Sequence, residues 1–265
     1  MSSEVLSKLQ ADESELLDLA AALDDPVDRE EFKLAVVVLG QRGRTLFRGF
    51  IELQGSAVPS AARTLLRPMV EINILIRFLA TNPKLHTELW QAEGERNALS
   101  MIEEHNRLHS GRWGGVPIND DELEERRATV RETRKQALDA GLPWAKGSSL
   151  MPTTVQQLET INEPAAREAY TLAYRPMSWQ VHAGAPSFLD GLFEQRNDGS
   201  VSYSEAASAT DLIGARALSL TTFASTLELV AMNLGLPIET RAREIRRSYV
   251  PDTLAPSERL DGASA

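Results

Sequence analysis

The stretch AARTLLRPMVEINILIRFLA (61–80) is apolar almost all the way round a helix. Such a helix has no broad face to give to water, so other elements must surround it. Those other elements also read as helices. Nearly every long segment carries apolar residues at helical spacing, and strand-like alternation is almost absent. The expected fold class is all-α: a single-domain, multi-helix bundle of about seven to nine helices.

Start signals divide the chain. Asp25-Pro26 and Asn82-Pro83 each place a capping residue before a proline suited to the first helical position. Asn119 with Glu122, and Ser202 with Glu205, have capping-box spacing, and Asn162 precedes Glu163-Pro164. The spacing predicts helices over 3–23, 27–53, 58–81, 83–110, 120–140, 154–161, 164–183, 203–234 and 238–248. One domain is expected over 1–250, with its core at 31–235. Segment 120–140 forms an exposed, protruding charged helix, and 251–265 a disordered tail. Asp198-Gly199 could turn a small two-stranded ribbon, because Val201 and Tyr203 alternate with serines.

Composition narrows the function classes. A net charge of −10 argues against a non-specific nucleic-acid coat, which needs a broad positive field. The 23 arginines against five lysines favour forked, buried or phosphate contacts, although a GC-rich genome produces the same bias. The chain has no cysteine, which excludes disulfides and thiolate metal sites. No apolar run is long enough to read as a membrane span, and the charged N-terminus does not read as a signal peptide. A cytoplasmic protein with no membrane partner is expected. His105 and His109 stand four apart, a spacing that can chelate a metal, but Glu-x-x-His is missing and a solvated face is the default. No metal and no cofactor is expected. The basic RAREIRR (241–247) is too short to define a nucleic-acid site.

Charges inside apolar helices are the candidates for chemistry. Arg63, Arg67 and Glu71 follow one another at four-residue spacing within 61–80, and Arg44, Arg48 and Glu52 repeat the arrangement one helix earlier. Buried charges must pair or face a cavity. Arg44, Arg48, Arg67 and Glu71 therefore form either a salt-bridge network or a pocket for an anion, nucleotide or protein partner. If the Arg67–Glu71 pair is buried, breaking it should cost about 3–5 kcal/mol. In YRPMSWQVHAG, Arg175 and His182 are seven residues apart, nearly two helical turns, on one face and about 10 Å apart along the axis. Ser178 lies one turn before His182, and a nearby Gly/Pro stretch also suits His182 to a helix-capping role.

LLRPMVE (65–71) followed by YRPMSWQVH (174–182) resembles an uncharacterised bacterial all-helical family that pairs an Arg…Glu helix with a later Ser…His helix, over roughly residues 40–190. The Arg-x6-His segment separately resembles the HEPN (higher eukaryotes and prokaryotes nucleotide-binding) ribonucleases. That resemblance implies a helical homodimer cleaving RNA without metal, through attack by the 2′-hydroxyl, as a toxin or phage-defence effector would. It makes His182 the general acid/base, with Arg175 stabilising phosphate charge. A non-catalytic helical binding module and a purely structural oligomer stand as the alternatives.

Overall fold

The computed structural model describes residues 3–55, 59–109, 120–171, 193–195, 201–203 and 209–249. Among them are nine α-helices: α1 (Ser3–Leu19), α2 (Glu31–Gln54), α3 (Leu66–Thr81), α4 (Pro83–His109), α5 (Asp120–Asp139), α6 (Thr154–Ile161), α7 (Pro164–Ala169), α8 (Ala209–Leu234) and α9 (Glu239–Arg247). The all-α expectation holds. The small ribbon that the sequence offered around Asp198-Gly199 is present among the described residues: β1 (Phe193–Gln195) pairs antiparallel with β2 (Val201–Tyr203), Glu194 opposite Ser202. Within this fold the chain forms two compact units, Met1–Arg77 with Leu158–Ala265, and Phe78–Gln157.

The first unit is organised around α2 and α8. Phe47 and Phe223 stack with ring centroids 4.5 Å apart, both fully buried. Gly40 lets the two helices close, since a Cβ there would lie 3.2 Å from both Leu23 and Val230. A second seam places Leu66, Val70 and Ile74 of α3, four residues apart, against Phe50, Leu158, Ala166 and Ala215. Ile213–Leu234 within α8 is apolar and long enough by composition to cross a membrane, yet half of it is buried in this core.

Three predicted helix boundaries shift, each for a local reason. The helix expected over 58–81 divides into a 3-10 turn, Pro59–Leu65, and then α3. The change of register puts Pro68 in the first turn of α3, where its missing N–H breaks no helical bond. Asp25 does not start α2. It is extended (φ −70°, ψ 145°), as a residue before proline tends to be, and it ends the 3-10 turn Ala20–Asp24. Ser202 lies in β2 and so does not start a helix, and α8 is described from Ala209.

The second unit is built on α4 and α5. Leu123, Val130 and Ala137, seven residues apart on α5, pack into a cluster with Leu89, Ala92 and Leu99 of α4. Most of the remaining α5 surface is exposed charge, as expected. The helix does not protrude, however, because this seam and the ion pairs Arg126–Glu95 and Arg127–Glu103 hold it along α4. Trp144 sits edge-on to Phe78 at 6.3 Å, pinning the 3-10 turn Pro143–Lys146.

Candidate functional site

The sequence-predicted residues fall in different places. Arg175, Ser178 and His182 lie outside the described residues. Arg44 grips Asp24 with both terminal nitrogens at 2.9 Å and donates to the Ala20 carbonyl, tying α2 to the turn Ala20–Asp24. Arg48, one turn on, is exposed. Arg67 Nε donates to Glu71 Oε1 at 3.2 Å, so the predicted pair exists. It is not buried: the two side chains are 23% and 40% exposed. An i,i+4 pair this open contributes about 0.3–0.5 kcal/mol, not the 3–5 of a buried one. The error came from treating an almost wholly apolar helix as enclosed on every side. His105 is exposed, and among the described residues no group of three acidic or histidine side chains is placed to hold a metal.

The described residues converge instead on Arg77, two turns further along α3. Its side chain is 9% exposed, and each of its nitrogens has a partner from a different position. Nε donates to Asn73 Oδ1 at 3.1 Å, Nη2 to Ser225 Oγ of α8 at 3.3 Å, and Nη1 to Glu163 Oε2 at 2.5 Å. Asn73 in turn donates to Ser225 and Thr226, at 3.1 and 3.3 Å. Burial pushes the Arg77 guanidinium down from its usual range, while the carboxylates of Glu163 and Glu228 act against that shift. An arginine so enclosed remains charged because its counter-charges are supplied by the fold.

Glu228 extends the same charge system toward α9. One carboxylate oxygen accepts from Arg243 Nε and the other from Arg246 Nε, each at 2.8 Å. Arg246 and Glu228 are both nearly inaccessible to solvent. Further pairs bind α1 to the same helices: Glu13 with Arg216, Glu15 with Arg241, and Asp12 with the Tyr249 hydroxyl at 2.6 Å. The basic RAREIRR segment is thus largely spent on carboxylates of its own chain.

Sequence reasoning did not mark Arg77, Glu163, Arg216 or Glu228 as candidates for a site. A usable signal was present. Arg77 stands between Ile76 and Phe78 in ILIRFLA, where a charge has no exit to water and must find a partner from elsewhere in the chain.

In the second unit one ionisable ring is buried. His86 stacks on Phe78 with centroids 4.0 Å apart, and its Nδ1 is 2.9 Å from the Phe78 carbonyl and 3.1 Å from Thr81 Oγ1. Burial pushes its pKa down, and the bond to the Phe78 carbonyl opposes that only in part.

These features define an all-helical protein with a buried arginine–carboxylate system at the heart of its larger unit. The chain belongs to a family of unknown function, DUF5677, which it matches over residues 33–200. No curated protein and no solved structure matches it.

Proposed function

We propose that the protein is a HEPN-like, metal-independent endoribonuclease acting as a homodimer, with Arg175 and His182 as its catalytic pair. The observation that carries this reading is the Arg-x6-His spacing in an all-α chain, inside the segment matched by the family. In this reading the RNA 2′-hydroxyl attacks the neighbouring phosphorus. Its proton passes to a neutral imidazole, and the 5′-oxygen leaves with a proton from an imidazolium. The products are a 2′,3′-cyclic phosphate and a 5′-hydroxyl. One ring cannot hold both roles at once, so His182 of each protomer takes one of them. Arg175 stabilises the charge that builds on the phosphoryl oxygens, with Ser178 as a hydrogen-bonding neighbour of His182. The protein would work in the cytoplasm.

The test is incubation of purified protein with RNA, with and without EDTA, followed by mapping of product ends. Cleavage that survives EDTA, leaves cyclic phosphate ends and disappears in His182→Ala and Arg175→Ala is the expected result. Both variants should keep the wild-type melting temperature. Intact RNA across substrates would remove the enzyme reading.

The half-open Arg67–Glu71 pair supports a second reading, a non-catalytic module that uses α3 to hold an anion, nucleotide or protein partner. Binding without turnover, weakened by Arg67→Ala and indifferent to His182→Ala, would favour it.

A further inference from the structure

We infer that Arg77 is a positioning residue: its guanidinium fixes the corner between α6 and α7, and thereby the start of the chain that runs on to Arg175 and His182. The activity half of this inference rests on the ribonuclease reading, and the structural half does not. Two observations meet at the corner. Asn162 has φ 54°, the left-handed region, and is the single non-glycine among the described residues with positive φ. Such a conformation persists where its surroundings over-determine it. Glu163, next in the chain, is the N-cap of α7 but makes no side-chain capping bond. Its carboxylate reaches Arg77 instead, 86 residues away.

A helix start that gives up its own side-chain cap and follows a left-handed residue does not set its own position. Arg77 can set it, because its guanidinium is oriented by partners other than Glu163. Asn73 holds Nε from the same helix, and Ser225 holds Nη2 from α8. Only the remaining nitrogen faces the corner. This is a directional fork, which an ammonium cannot reproduce. Glu163 stands twelve residues before Arg175 in the chain. A displacement of about 1 Å at reacting groups can cost about 10²-fold in rate.

The experiment uses the full chain with Glu163→Gln, Glu163→Asp and Arg77→Lys. Glu163→Gln is the main variant, because this side chain is one-third exposed and its neutral form should fold. Hydrogen exchange should quicken over residues 164–171 in Glu163→Gln while α2 and α8 keep their protection. RNA cleavage should lose about 10- to 100-fold in kcat with little change in KM. The pH profile should keep its shape, because Arg77 carries no proton in the reaction, and Glu163→Asp should recover part of the rate. Unchanged exchange over 164–171 would overturn the inference whatever the RNA result. Faster exchange with full kcat would also overturn it, by reducing the contact to local packing. If the wild-type protein cleaves no RNA, the catalytic half falls with the ribonuclease reading. Exchange at α7 then still decides whether Arg77 holds the corner.

Discussion

Glu228 offers the sharpest test of the buried charge system. Replacing it with alanine removes the acceptor of both Arg243 and Arg246 in one step. Arg243 keeps Glu239 and is one-third exposed, so it can turn toward water. Arg246 is 5% exposed and has no such exit. Leaving one charge buried and unpaired costs about 3–5 kcal/mol. At roughly 2–4 °C per kcal/mol for a chain of this size, the melting temperature should fall by about 6–20 °C. Calorimetry or urea titration reads this directly. A double-mutant cycle separates the pair from the cavity: Glu228→Ala with Arg246→Ala should show a coupling of about 1–3 kcal/mol. The same cycle on Arg67 and Glu71 should give only about 0.3–0.5 kcal/mol, because that pair is half open. A fall of under about 2 °C in Glu228→Ala, or equal couplings in the two cycles, would refute the distinction drawn between buried and open pairs.

Two further outcomes concern the second unit. The His86 pKa is depressed on folding, so the folded state binds fewer protons than the unfolded chain just below the ordinary value of 6.5. Stability should be fully present above pH 6.5 and be lost as the pH falls through that value toward the folded pKa. Urea midpoints between pH 7.5 and 5 should show the loss, His86→Asn should flatten it, and an unchanged slope in that variant would assign the effect to other groups. Thr87 is 1% exposed, and its hydroxyl lacks a hydrogen-bond partner among the described residues. Thr87→Val keeps the shape and removes the orphan group, so it should stabilise by about 1 kcal/mol. A destabilised variant would show that the hydroxyl is bonded after all.

The helices were legible because each carries its own signal. The apolar spacing of Leu66, Val70 and Ile74 marks one face of α3, and Asn82 does cap α4, accepting from the Leu85 N–H at 3.4 Å. What lay out of reach depends on pairing between distant segments. Arg77 with Glu163, or Glu13 with Arg216, are separated by 86 and 203 residues, and no local pattern couples them. Exposure was harder to read for the same reason. α5 reads as charge all round, yet three residues at seven-residue spacing bury one stripe of it, while α3 reads as enclosed and leaves Arg67 and Glu71 half open. Burial is decided by what lies opposite a helix face, and the one-dimensional pattern records only the face.

The match to the family spans 33–200, whereas the cooperative unit does not stop there. The ring stacked on Phe47 belongs to Phe223, and the serine that orients Arg77 is Ser225, both on α8 beyond the matched segment. A fragment trimmed to the family boundary would therefore present an open cleft where α8 belongs, with Phe47, Gly40 and the Arg77 guanidinium along its floor. Extended back to residue 1 so that α1 is kept, such a fragment should be an acceptor for complementation: a separate chain spanning 201–265 should dock into it and restore the helical core.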